Sequence, residues 1–95
     1  MAIVTNLDEH LLIGGSWTEA SGGARFDVTD PATGGRVGSV PNGTEADVKA
    51  AIDAAAAALP AWRSTSALSR ARILRRAADI MRERADEIAR TMTSE

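Results

Sequence analysis

The sequence predicts an α+β segment in which a β-hairpin or meander is followed by two helices. All eight glycines and two of the three prolines lie within residues 14–43, so turns are expected to cluster there. Residues 26–29 alternate apolar and polar side chains, which is the period of a half-buried strand. After Gly43 the apolar residues recur every three or four positions, which is the period of an amphipathic helix.

The strands are expected in pairs separated by glycine turns. Residues 11–13 form a short strand candidate that Gly14 and Gly15 stop, and residues 16–18 can resume it. The strand at 26–29 leads into a strong turn at 30–35, where Pro31 presets φ and a glycine can take positive φ. A return strand then places Val37 and Val40 on one side and ends at residues 41–43.

The first helix begins with a capping box, in which Thr44 is the N-cap and Asp47 occupies the position usually held by glutamate. Its apolar stripe comprises Val48, Ala51, Ile52, Ala55 and Leu59. Pro60 is expected to end this helix, because proline lacks the N–H that an interior helical position needs. Trp62 is then expected to anchor the linker to the second helix.

The second helix can be capped by Ser64, Thr65 or Ser66, and it is expected to run close to residue 95. Its apolar stripe comprises Ile73, Leu74, Ala77, Ile80, Met81, Ala85, Ile88 and Met92. The opposite face carries three i,i+4 ion pairs, namely Arg75–Asp79, Arg82–Asp86 and Asp86–Arg90. No Gly or Pro stops this helix, so the sequence is expected to be cut short at its C-terminal end.

Composition excludes several classes of function. The chain has no cysteine and one histidine, His10, which excludes a disulfide framework, a cysteine nucleophile and a histidine metal cluster within it. The formal net charge is −2, so neither nucleic acid nor membrane is expected as a partner. Residues 1–9 carry acids and no basic side chain, unlike a targeting signal, and a cytoplasmic location is expected.

One charged segment leaves an alternative function open. Between residues 62 and 84 there are seven arginines against two acidic side chains, Asp79 and Glu83. A helix with this charge could bind an acidic partner, so the alternative is a self-standing helical interaction module. No group of residues in the sequence indicates catalytic chemistry.

Four blocks of sequence resemble the N-terminal region of the aldehyde dehydrogenase superfamily. They are LIGGSW at 12–17, FDVTDPATG at 26–34, a helix region from VP at 40–41 to LPAWR at 59–63, and RARILRR at 70–76 with MTSE at 92–95. The blocks are collinear and span nearly the whole chain. The runs at 59–63 and 73–76 lean toward the succinate-semialdehyde dehydrogenase-like branch.

The resemblance implies that residues 11–95 are the N-terminal part of the cofactor-binding domain of an α/β aldehyde dehydrogenase fold, preceded by a flexible N-terminus at residues 1–10. The parent would oxidise an aldehyde, with succinate semialdehyde the favoured example, using NAD or NADP. No catalytic residue and no cofactor-binding residue of the family lies in this chain, which would be an inactive scaffold without cofactor when alone.

The resemblance also implies partners and one metal site. Some members of the family bind a structural monovalent cation through main-chain carbonyls, and the matching positions here are Val28, Thr29 and Glu95. The expected partners are the remainder of the dehydrogenase chain and further copies of the parent, as a homo-oligomer.

Overall fold

The computed structural model describes residues 7–95, which form five strands followed by three helices. The strands are β1 (Leu7–Asp8), β2 (Leu11–Ile13), β3 (Ser16–Thr18), β4 (Arg25–Thr29) and β5 (Arg36–Pro41). The helices are α1 (Glu45–Ser64), α2 (Ala67–Glu83) and α3 (Ala85–Ser94). The predicted order of strands before helices is therefore confirmed, although the helical part has three helices instead of two.

The strands form two separate sheets. One has the order β1-β5-β4, in which β4 and β5 form an antiparallel hairpin and β1 runs parallel to β5. The other is the two-stranded ribbon β2–β3. The flexible N-terminus was expected to include residues 7–8, but these form β1; residues 1–6 lie outside the described residues.

Both hairpin turns follow from local chemistry. Gly14 and Gly15 join β2 to β3 with φ of 59° and 79°, which is the left-handed backbone that a type I′ turn requires. In the β4–β5 turn, the Asp30 carboxylate accepts from the Ala32 N–H at 2.8 Å, and the Asp30 carbonyl accepts from the Gly34 N–H at 2.7 Å. The predicted turn at 30–35 is therefore confirmed.

Helix α1 begins as predicted and ends later than predicted. The Thr44 hydroxyl accepts from the Asp47 N–H at 3.2 Å, while the Asp47 carboxylate accepts from the Thr44 N–H at 2.8 Å, completing the capping box. The prediction that Pro60 ends the helix is wrong, because α1 continues to Ser64 with Pro60 inside it. Proline removes a single N–H here, and Thr65 closes the helix by donating its N–H and hydroxyl to the Ala61 carbonyl.

This continuation moves Trp62 from the expected linker into the last turn of α1, where it is 38% exposed. Ser66 caps α2, since its hydroxyl accepts from the Ser69 N–H at 3.1 Å. Arg84 then interrupts the expected single helix with φ −105° and ψ 20°, and α3 begins at Ala85. The predicted helix therefore consists of two helices that meet at Arg84.

The ion pairs on the exposed face of α2 also differ from those predicted. The predicted pairs join residues at i,i+4 spacing. The structure instead pairs Arg82 with Asp79 at 3.1 Å and Arg76 with Glu83 at 3.5 Å. Each of these side chains is at least half exposed, so the pairs contribute little to stability.

Replacing Thr44 with alanine is expected to cost about 1 kcal/mol of α1 stability, because the first turn loses its side-chain acceptor. The loss would appear as a reduced helical signal in far-ultraviolet circular dichroism of the 95-residue chain. Thr44→Ser is the matched control, since it retains the hydroxyl. An equal loss in the serine variant would contradict the capping explanation.

The described residues enclose very little apolar side-chain volume. Among them the buried apolar side chains are Ala20 and Val37, at 5% and 2% exposure, and Pro41. The chain has an accessible surface of 7089 Å², whereas a compact domain of this mass exposes about 5200 Å². Its radius of gyration is 16.8 Å, against about 12 Å for a compact chain of this length. The segment is therefore an open layer, only 16 Å thick in its shortest dimension.

Candidate functional site: an apolar docking surface

The main candidate site is a set of large apolar side chains that the helices leave uncovered. We call it the docking surface, and each of its members is more than half exposed. They are Val48, Ile52 and Leu59 on α1, Leu68, Ile73, Leu74 and Met81 on α2, and Met92 on α3. Full burial of one such side chain is worth roughly 1.5–3 kcal/mol. A soluble monomer rarely leaves so many large apolar side chains uncovered, so these helices are suited to packing against another protein surface.

On α1 the docking surface follows a single helical stripe. Val48, Ile52 and Leu59 are separated by four and seven residues, so they lie on the same side of the helix. The N-terminal end of this stripe borders an open cleft of about 780 Å³, which is also lined by Ser21, Thr44 and Lys49.

One hydrogen bond joins this cleft to the strand region. The Ser21 N–H donates to both carboxylate oxygens of Asp47, at 2.9 and 3.1 Å. Asp47 therefore caps α1 and at the same time holds the loop that follows β3. Sequence reasoning found the capping role of Asp47 but not this second contact, because the two residues are 26 positions apart and no local pattern connects them.

A second set of contacts that links the strands is formed by Arg25 at the start of β4. Its guanidinium donates to the main-chain carbonyls of Glu9 and Ser39, at 2.6 and 3.0 Å, and pairs with Glu19 at 2.7 Å. His10 also contacts Glu19, with 3.1 Å between Nε2 and Oε1, and its side chain is 48% exposed. These contacts join β4, β5 and the segments beside β1 and β3, which is a structural role.

A third set of contacts holds β1 against β5. The Asp8 carboxylate accepts from Arg36 at 2.7 Å and from the Ser39 N–H at 3.0 Å. Arg36 also pairs with Asp27 across the hairpin at 3.2 Å. The hydrogen bond from Arg36, followed by that from the Ser39 hydroxyl, lowers the pKa of Asp8 below its ordinary value of 3.8.

Acid is expected to weaken the hydrogen bonds that the Asp8 and Asp47 carboxylates accept. The pKa of Asp47 is also lowered from 3.8, chiefly by the Thr44 N–H and then by the Ser21 N–H. A carboxyl whose folded-state pKa is depressed stabilises the fold above the unfolded value, and this contribution is lost as pH falls through the folded value. The contribution of Asp8 and Asp47 should thus be constant above about pH 5 and decline below about pH 4.

The measurement is the pH dependence of the helical signal for the chain and for Asp47→Asn, which should respond less steeply to acid. Asp53→Asn is the matched control, because Asp53 is an exposed carboxylate on the same helix, where it pairs with Lys49 at 2.9 Å. Equal acid responses in the parent chain and in Asp47→Asn would contradict the assignment.

The structure brings together two of the three positions of the predicted cation site. Val28 and Glu95 line one cavity of about 160 Å³, together with Thr91 and side chains of β1 and β5. Thr29 does not line it. Within residues 7–95 no group of three or more His, Asp or Glu side chains could hold a metal. The main-chain cation site stays a prediction.

The chain has no thiol, and its histidine, His10, contacts the Glu19 carboxylate. None of the helices described is long and apolar enough to cross a lipid bilayer. The geometry supports a packing role, in which the docking surface contacts another protein surface. The contacts of Asp47, Arg25 and Asp8 hold the strand region together.

Known proteins share both the sequence and the shape of this chain. The family model described as "Aldehyde dehydrogenase family" matches residues 17–95. The NADP-dependent succinate-semialdehyde dehydrogenase of Escherichia coli strain K12 is 48% identical over 87 residues, covering 92% of this chain and 18% of that protein. A glutarate-semialdehyde dehydrogenase of Pseudomonas aeruginosa is 47% identical over 83 residues, covering 87% of this chain and 17% of that protein.

A solved structure gives the same result in three dimensions. The crystal structure of an E. coli NADP-dependent enzyme superposes with a TM-score of 0.90 at 48% identity, covering 93% of this chain and 18% of that one. The resemblance inferred from the four sequence blocks is therefore confirmed, including its lean toward the succinate-semialdehyde branch. The chain spans under a fifth of the relatives it matches, and it belongs to the aldehyde dehydrogenase family.

Proposed function

We propose that this chain is the N-terminal scaffold part of an NADP-dependent dehydrogenase that oxidises a semialdehyde, such as succinate semialdehyde, to the acid. The observation that carries the proposal is the 48% identity to the E. coli succinate-semialdehyde enzyme over 92% of the chain. The glutarate-semialdehyde relative supports the same class of substrate, an aldehyde that also bears a carboxylate.

In this enzyme the chain would act as a scaffold that packs against the catalytic remainder. Aldehyde oxidation through a thioester needs a thiolate nucleophile, and this chain has no cysteine to provide one. NADP would accept the hydride when bound to the remainder of the enzyme. The docking surface supplies the apolar face through which the scaffold would join that remainder, as one part of a cytoplasmic homo-oligomer without nucleic-acid or membrane partners.

The test is a chimera in which this chain replaces the matching segment of the E. coli succinate-semialdehyde dehydrogenase. The purified chimera should reduce NADP⁺ with succinate semialdehyde at a rate close to that of the unmodified enzyme. The purified 95-residue chain should produce no NADPH under the same conditions.

Two results would contradict the proposal. One is an insoluble or inactive chimera when the unmodified E. coli enzyme, prepared in parallel, is active. The other is aldehyde-dependent reduction of NADP⁺ by the 95-residue chain itself. The alternative of a self-standing module that binds an acidic partner gains no support from the family match or from the relatives.

A further inference from the structure

The short link between β5 and α1 contains an asparagine followed by a glycine, Asn42 and Gly43. Both residues are exposed, and neither belongs to a strand or a helix. Among residues 7–95, neither the Asn42 side-chain amide nor the Gly43 N–H has a hydrogen-bond partner. This part of the chain therefore shields neither group from water.

The chemistry open to this pair is an intramolecular attack. The main-chain nitrogen of Gly43, once it has lost its proton to hydroxide, can attack the side-chain carbonyl carbon of Asn42. A new C–N bond closes a succinimide ring, while the bond to the side-chain nitrogen breaks and that nitrogen takes up a proton and leaves as ammonia. Water then opens the ring at either of its carbonyls, which leaves aspartate or isoaspartate. Water is the only co-reactant.

Glycine favours this attack, because it places no Cβ beside the attacking nitrogen. The surroundings of Gly43 are open as well, since a Cβ added there would meet no heavy atom within 4 Å. The chain has one other asparagine, Asn6, and no glutamine. Leu7 follows Asn6, and its branched side chain hinders the same attack. The two asparagines are therefore expected to react at very different rates.

We propose that Asn42 is a modification site, which converts spontaneously to aspartate and isoaspartate through attack by Gly43 in the folded protein. The inference stands apart from the proposed function, since it uses only residues of this chain.

The isoaspartate product would disturb the start of α1. The Asn42 N–H donates to the Ala24 carbonyl at 2.8 Å, and the Thr44 N–H donates to the Asp47 carboxylate at 2.8 Å. Isoaspartate adds one carbon to the main chain between these two anchored N–H groups. The aspartate product keeps the main-chain length and adds a negative charge before the helix N-terminus, where the helix dipole favours it.

The test is to age the purified chimera with the E. coli enzyme in mildly alkaline buffer at physiological temperature. The 95-residue chain and a synthetic peptide of residues 37–49 are aged in parallel. Trypsin releases the same peptide from the proteins, because Arg36 precedes it and Lys49 ends it. Mass spectrometry should show the Asn42 amide replaced by an acid, in two chromatographic forms. The rate in the chimera should lie within about three-fold of that in the free peptide.

Gly43→Ala is the matched variant, and it should slow the reaction about ten-fold or more, because its Cβ hinders the attack. The Asn6 amide should persist in the same samples. The inference is overturned if Asn42 keeps its amide in the chimera while the free peptide loses it, or if Gly43→Ala reacts as fast as the parent. Both results leave the proposed function standing. If the chimera fails to fold, the rate in the 95-residue chain, compared with that in the free peptide, decides.

Discussion

Replacing Gly38 with alanine is expected to separate β1 from the sheet. Gly38 lies in β5 between Leu7 of β1 and Val28 of β4, and a Cβ at this position would overlap the main chain of Leu7. The clash is with backbone, so no side-chain rotation can relieve it. We expect a loss of about 3 kcal/mol in the free energy of unfolding of the chimera. Hydrogen exchange at the Glu9 N–H, which donates to Ser39 at 3.0 Å, should become fast.

Gly43→Ala is the matched control for this substitution. Gly43 lies just beyond the end of β5, a Cβ added there would meet no heavy atom within 4 Å, and its φ is not positive. Its replacement should therefore leave both the unfolding free energy and the exchange of Glu9 unchanged. If both alanine variants are equally stable, the close approach of β1 to β5 is not a feature of the folded enzyme.

The 95-residue chain alone is expected to lack a cooperative thermal transition. Ordering a residue costs roughly 1–2 kcal/mol of backbone entropy, and this cost is normally offset by apolar burial. Here the buried apolar side chains among the described residues are Ala20, Val37 and Pro41, while the docking surface stays open. Calorimetry should show no sharp heat-absorption peak, and a fluorescent dye that binds apolar surfaces should bind strongly.

The chimera provides the comparison for this result, since the same 95 residues should then be covered. Dye binding should fall to the level of the unmodified E. coli enzyme, and one cooperative transition should return. A sharp calorimetric transition of the isolated chain without dye binding would contradict the open layer described above and would favour a self-standing domain.

Local signals in the sequence predicted most of the helix starts and turns. The Thr44–Asp47 pair, the Ser66 cap and the turn at Asp30 each depend on residues that are close in sequence. The contacts that hold β1 could not be predicted in this way, because Asp8 and Ser39 are 31 positions apart. One available signal was Gly38, since a glycine inside a strand often marks a close backbone approach.

The errors in the helices have a different cause. The prediction took Pro60 as a helix stop, whereas α1 continues through it to Ser64, where the Thr65 N–H and hydroxyl donate to the Ala61 carbonyl. The break at Arg84 has no Gly or Pro beside it, and the apolar spacing continues across it. For the candidate site, the exposed stripes were visible as periodicity, but their lack of a covering partner needed coordinates.

The contact between the β2–β3 ribbon and α1 has a consequence for relative motion. The Gly14–Gly15 turn faces a run of alanines, and an added Cβ on Gly14 would lie 3.8 Å from the Cβ of Ala54. Small side chains interlock less than large ones, so we expect this contact to set the distance between ribbon and helix more firmly than their relative position along the helix axis. The Ser21–Asp47 hydrogen bond at the N-terminal end of α1 is then the contact that fixes that position.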